Sequence, residues 1–124
     1  MNLLLDSHAV IWFLAGDRRL SAEARHAIES ADRVYVSAAT IWELAIKAAN
    51  GRFKAPSDFA ARLLDLGMLQ LALEWEHASV AGDLPPHHRD PFDRALVAQA
   101  IVEHLTIVTA DLAIPRYGVP VIAA

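Results

Sequence analysis

Asn2-Leu3-Leu4-Leu5-Asp6-Ser7-His8-Ala9-Val10-Ile11-Trp12-Phe13-Leu14 decides how this chain folds. A short apolar run stops at an acid, and the apolar segment from His8 to Leu14 contains no Gly or Pro before Gly16. This predicts a strand running straight into a helix, with a carboxylate at the junction. The pattern recurs downstream. Ser21 caps a helix whose Ala24, Ala27, Ile28 and Ala31 share one face. Arg33 to Val36 is β-branched and aromatic, and after Ser37 a helix carries Ile41, Leu44, Ala45 and Ala48 to its end at Asn50-Gly51. Pro56 and Ser57 open a helix with Phe59, Leu63 and Leu66 on one face, stopped by Gly67, and Leu69 to Leu73 is the next strand. A short helix from Trp75 to Ala81 leads into the polar loop Pro85-Pro86-His87-His88-Arg89. Asp90-Pro91 begins an apolar helix through Leu96, Val97, Ile101 and Val102, expected to be mostly buried. Thr106 to Thr109 is a strand ending near Asp111, and Val119 to Ile122 is the last, with Pro120 marking it as an edge. Alternating strands and helices predict a three-layer α/β fold with a parallel sheet of four or five strands, covered on both faces.

Composition narrows the function. The chain has 124 residues, 55% of them hydrophobic and 21% charged, which suits one domain with a real core. It has no cysteine, so disulfides, thiolate metal sites and thiol nucleophiles are excluded. Eleven Lys and Arg against fifteen Asp and Glu leave a net charge of −4, which argues against nucleic-acid binding by bulk charge alone. No apolar run approaches the roughly 18 residues of a membrane span, and the first residues lack the basic start of a signal peptide, so no membrane association and a cytoplasmic location are expected.

In an open parallel sheet, ligands bind beyond the carboxyl ends of the strands. Asp6 and Asp111 follow strands, Glu43 lies on the helix after the second strand, and Asp90 and Asp93 begin the long apolar helix. All five fit one edge of the sheet. Clustered carboxylates repel and raise one another's pKa values, a cost that a divalent cation removes, and hard oxygen donors favour Mg2+ or Mn2+. The chemistry of such a site is phosphodiester hydrolysis.

Each acid also fits a local role. Thr40-Ile41-Trp42-Glu43 has the spacing of a capping box, and Asp90-Pro91-Phe92-Asp93 sets an N-cap acid, a first-turn proline and an N3 acid in order. Asp111 fits a turn, and Asp6 fits a cap for the helix after it. Joint placement on one edge is what favours a site. His87 and His88 sit in a Pro-flanked loop expected to be exposed, and His8, His26, His77 and His104 show no ligand spacing. Trp12, Phe13 and Trp42 read as core or interface. Arg18, Arg19, Arg52, Lys54, Arg89 and Arg94 are candidate phosphate contacts, with a solvated surface as the plainer alternative. The apolar run Val10 to Leu14 is too large to hide easily in a small domain and predicts a partner surface.

Four stretches carry a family likeness: Leu3-Leu4-Leu5-Asp6-Ser7-His8-Ala9, Val36 through Glu43 to Lys47, Arg89-Asp90-Pro91-Phe92-Asp93-Arg94 through Ala100, and Val108-Thr109-Ala110-Asp111. In that order and spacing the chain resembles the PIN-domain family, and within it the VapC-like toxins of bacterial toxin-antitoxin pairs. The likeness runs from about Leu3 to Val121, so residues 1–124 are read as a single PIN domain. It implies a sheet of order 3-2-1-4-5 and a Mg2+- or Mn2+-dependent endoribonuclease directed at single-stranded RNA, such as a tRNA or rRNA loop. The family's acids fall on Asp6, Glu43, Asp93 and Asp111, with Asp6 and Asp93 as main ligands. Asp90 belongs to the third motif and either holds a metal water or caps the helix. Thr109 matches a hydroxyl that orients water or the acids, and Ser7 stands where many relatives have Thr. Arg89 or Arg94 would contact RNA. The resemblance further implies a small cognate antitoxin, a homodimer, and contact with operator DNA only through the antitoxin. Two other readings compete: a non-enzymatic receiver-type signalling module with Asp6 in its pocket, and a degenerate PIN scaffold that only binds RNA or a partner.

Overall fold

The computed structural model describes residues 1–124. In chain order its elements are β1 (Asn2–Leu5), α1 (Ser7–Ala15), α2 (Ala22–Ser30), β2 (Arg33–Ser37), α3 (Ala38–Ala49), α4 (Phe59–Asp65), β3 (Leu69–Leu71), α5 (Trp75–Asp83), α6 (Pro91–Glu103), β4 (Thr106–Thr109), a 3-10 turn (Ile114–Tyr117) and β5 (Val121–Ala123). All five strands are parallel, in the order β3-β2-β1-β4-β5. The expected α/β class, strand count and order are all present.

The central strand explains the layering. Leu3, Leu4 and Leu5 are all fully buried, which a strand achieves only when both sheet faces are covered. Alternation sends Leu3 and Leu5 to one core and Leu4 to the other. The first core includes Ala9 and Val10 of α1, Ala24 and Ile28 of α2 and Leu63 of α4. The second includes Leu96, Val97 and Ala100 of α6, with Ile107 of β4 and Ile114 of the 3-10 turn. Helix α3 touches both α1 and α6. It therefore stands where the two helical layers approach each other, and this brings Glu43 to the sheet's carboxyl edge.

Several boundaries move. Strand β3 ends at Leu71, not Leu73, and β5 runs from Val121 to Ala123, not Val119 to Ile122. Pro120 lies just outside β5, and its carbonyl accepts from the Ile107 N–H, while the strand keeps the expected edge position. Helix α6 buries Ala95 through Ala100, but Ile101 is 40% exposed. In the apolar run of α1 only Val10 is fully buried; Ile11, Trp12, Phe13 and Leu14 are half-buried, the last three packed on the first cluster. Arg19 lies over the Trp12 ring and Arg25 over Phe13. The expected apolar partner surface there is thus partly covered by the protein's own packing and partly left accessible. No helix is long and apolar enough to cross a membrane.

Candidate active site

The chain direction puts the ends of β1 and β4 side by side, because β1 pairs with β4 from Leu3 opposite Thr106 to Leu5 opposite Val108. Asp6 and Asp111 follow those ends. Asp6 is buried, and its carboxylate caps α1 by accepting from the Ala9 N–H at 2.9 Å. Burial raises its pKa above the usual carboxylate value, against the Thr109 hydroxyl and the Ala9 N–H that favour the charged form. Thr109 is itself buried, and its Oγ1 also accepts from the Asp111 N–H at 3.0 Å. One hydroxyl therefore ties the two strand-end acids together.

Glu43 reaches the same place from the second turn of α3. Its expected capping box does not form. Ser37, at the strand end, takes the N-cap by accepting from the Ala39 N–H, so Thr40 and Glu43 lie inside the helix and the Glu43 side chain is free for the crevice. Glu43 is only 8% exposed, and Lys47 Nζ sits 3.5 Å from its Oε2.

Asp90 is the N-cap of α6, accepting from the Phe92 N–H at 2.8 Å and the Asp93 N–H at 3.4 Å, with Pro91 at the first position. The capping role holds for Asp90, which also lines the crevice. Asp93 has no backbone donor of its own; its carboxylate meets only His88 Nε2, at 3.1 Å. Burial, followed by the charge of Asp90 and those of Glu43 and Asp6, pushes it up to about 7 despite His88. Asp111 goes the other way. Burial works to raise it, but the Ala113 N–H at 2.8 Å and His88 at 2.6 Å outweigh that, and its pKa lies below the usual range.

Together these residues line a crevice of about 460 Å³ whose wall includes Asp6, Glu43, Asp90, Asp93 and Asp111, together with His8, Trp12 and Lys47. All five expected acids converge. A second cavity, of about 410 Å³ beside β3, is lined by ten hydrophobic residues and Gln70 and offers no titratable group. The first has the chemistry. Its donors are carboxylate oxygens with a hydroxyl beside them, hard ligands suited to a hard divalent cation. One ligating atom each of His88, Asp93 and Asp111 lies within 4.8 Å of the others.

Two residues of the polar loop and α6 depart from expectation. His88, expected to be exposed with its loop, turns its ring into the crevice. Burial lowers its pKa, but the Asp111 hydrogen bond and the charges of Asp93, Asp111 and Asp90 outweigh it, leaving a net rise. The sequence signal was its place two residues ahead of the Asp90 cap. Arg94, expected to reach RNA, instead spreads its guanidinium over the carbonyls of Ala81, Leu84, Pro85 and His88 at 2.8 to 3.3 Å. These contacts brace the loop and occupy the side chain. Arg89 is exposed.

The family model described as PIN domain matches residues 3–120. Ribonuclease VapC22 of Mycobacterium tuberculosis is 35% identical over 113 residues, covering 89% of this chain and 87% of that protein. Among solved structures, VapBC2 from Rickettsia felis bound to a DNA fragment from its promoter superposes with a TM-score of 0.70 at 14% identity, covering 98% of each chain. FitAcB from Neisseria gonorrhoeae gives a TM-score of 0.68 at 19% identity, covering 98% of this chain and 96% of that one. These two structural likenesses speak for the fold.

Proposed function

The chain belongs to the PIN-domain family, and from that premise we propose that it is a metal-dependent endoribonuclease toxin held in check by a cognate antitoxin. The observation that carries the reading is the convergence of Asp6, Glu43, Asp90, Asp93 and Asp111 in one crevice, with Asp93 pushed up to about 7 by burial and by the charges of Asp90, Glu43 and Asp6. A fold that gathers carboxylates and leaves one of them this short of partners is built for a cation. Neither a receiver-type module nor an inert scaffold needs the third-motif acids to face those at the strand ends.

Asp6 and Asp93 would be the main ligands of Mg2+ or Mn2+, with Glu43 and Asp111 completing the set. When bound, such a cation polarises the phosphodiester, lowers the pKa of water and stabilises charge on the leaving oxygen. The remaining work falls to the chain itself. Thr109 fixes the relative placement of Asp6 and Asp111 through its hydroxyl. Asp90 holds the first turn of α6, and so the backbone of Asp93, by its cap. Lys47, which lines the crevice, offsets the charge of Glu43 and is placed to meet a phosphate, and Arg89, exposed one residue ahead of Asp90, is a second phosphate contact. These few cations give an acidic chain a local path for RNA.

The substrate class is a single-stranded loop of tRNA or rRNA. The partner is a small antitoxin, a reading supported by the toxin-antitoxin complex from Klebsiella pneumoniae among the structural neighbours, with operator DNA contacted through it; the toxin itself is proposed to be a homodimer. The test is mapping of new RNA 5′ ends after brief induction, alone and with the adjacent small protein co-expressed. Discrete cleavage at one site in a structured RNA, suppressed by co-expression, is expected. Unchanged 5′ ends would sink the nuclease reading, and undiminished cleavage in the presence of a co-purifying partner would sink the antitoxin reading.

A further inference from the structure

We infer that His88 is a positioning residue of the acidic crevice, its Nε2–H donating to Asp111 and approaching the Asp93 carboxylate at 3.1 Å while its Nδ1 is locked by the backbone N–H of Asp90. The inference rests on the proposed metal site only for its functional consequence; the bridge itself stands on the hydrogen bond to Asp111 and the close approach to Asp93.

The ring nitrogens differ in what they face. Nδ1 lies 3.1 Å from the Asp90 nitrogen, a backbone donor, so Nδ1 presents its lone pair. The ring hydrogen is then on Nε2, which faces two acceptors: Asp111 Oδ2 at 2.6 Å and Asp93 Oδ2 at 3.1 Å. Direct ligation of a cation by Nε2 would need the opposite tautomer and would set an Nδ1–H against the Asp90 N–H, donor against donor. The ring therefore serves the acids and leaves ligation to them.

The backbone of His88 is held from both sides. Its N–H donates to the Tyr117 hydroxyl at 2.8 Å, and its carbonyl accepts from Arg94. A loop that would otherwise move freely thus delivers one donor to a fixed point. That donor joins an acid after β4 to an acid on α6, elements that share no other side-chain bond at the crevice. It meets Oδ2 of both residues and leaves Asp93 Oδ1 without a protein donor. Groups that orient ligands in this way cost about 10–100-fold in metal affinity or activity when removed.

Two measurements decide the matter. Long-range 15N–1H spectra of the imidazoles in the metal-free protein at alkaline pH should show His88 as the Nε2–H tautomer; an Nδ1–H or doubly protonated ring overturns the bridge. His88→Ala and His88→Gln are then compared for Mn2+ binding by titration calorimetry and for kcat and KM on a target RNA, with melting as the folding control. His88→Ala should lose about 10–100-fold in Mn2+ affinity or kcat at unchanged KM, and His88→Gln, whose amide places an N–H near the Nε2 position, should recover most of it. Equal losses in both variants, no loss in either, or imidazole nitrogen coupled to Mn2+ in pulsed EPR of the wild type would refute positioning. A wild-type protein that binds no Mn2+ strikes the nuclease reading instead, and the tautomer spectrum still decides the bridge.

Discussion

Asp93 and Arg94 are neighbours in the first turn of α6, and the fold treats them oppositely. Arg94 directs its guanidinium at four backbone carbonyls, one in the last turn of α5 and three in the α5–α6 connection, which an arginine's planar fork satisfies well. Asp93 has only the approach of His88 Nε2 at 3.1 Å and faces the charges of Asp90, Glu43 and Asp6. Buried polar groups in native proteins are almost always satisfied, so a side chain kept short of partners beside one amply supplied with them marks a difference in purpose. Arg94 holds structure. Asp93 is held ready for something the protein alone does not supply.

The sharpest way to break this contrast is Asp93→Asn. The amide keeps the shape and removes a charge that its surroundings oppose, so stability in EDTA should hold or rise. RNA cleavage should nevertheless fall by about a hundredfold or more, because an amide is a poor ligand for a hard cation. Melting in EDTA and single-turnover cleavage check both halves. A less stable but fully active variant would make Asp93 an ordinary helix acid, whose loss costs roughly 0.3 to 1 kcal/mol.

The pH dependence of the metal-free protein probes the same strain. Asp93 titrates at about 7 in the fold against 3.8 ordinarily. Between these values the unfolded chain has released its proton while the folded one keeps it, so stability falls as pH rises through that window, by on the order of a few kcal/mol. Asp6, also raised, acts in the same direction, and Asp111, lowered, acts in the opposite one. Urea unfolding in EDTA from pH 4 to pH 7 should show the decline, and Asp93→Asn should flatten it. A wild-type profile that is level or rising over this range would remove the claim that Asp93 is strained.

How much of this was legible before folding depends on where each residue's partners lie. Strands and helices follow from local periodicity, and Asp6 and Asp111 stand out because each closes a strand. The order of the strands is not local, and it came from the resemblance of four motifs. Glu43 was ambiguous because Thr40 offers a cap at the right spacing; Ser37 wins because it is the last residue of β2, where the chain is still extended. His88 was hidden because its second partner, Asp111, is 23 residues away and its own loop has the composition of an exposed turn. Arg94 was misjudged for a related reason: no pattern in the chain reveals that the turn from Ala81 to His88 folds back over it.

The smallest expected effect belongs to Arg94, and it closes the comparison from the structural side. Arg94→Ala removes charged donors from the carbonyls of Ala81, Leu84, Pro85 and His88. Some of these carbonyls lie near solvent and recover a water, so the loss is about 2 kcal/mol, near the middle of the range for a single hydrogen bond to a charged group. Arg94→Lys should recover little of it, because one ammonium cannot span the fan that two guanidinium nitrogens reach. Cleavage per folded molecule should fall far less than in Asp93→Asn, and only through looser placement of His88, so RNA affinity should stay near the wild-type value. The measurements are chemical denaturation and direct RNA binding. A variant of full stability that binds RNA poorly would return Arg94 to the substrate surface, and would mean that the carbonyl fan gives way when RNA arrives.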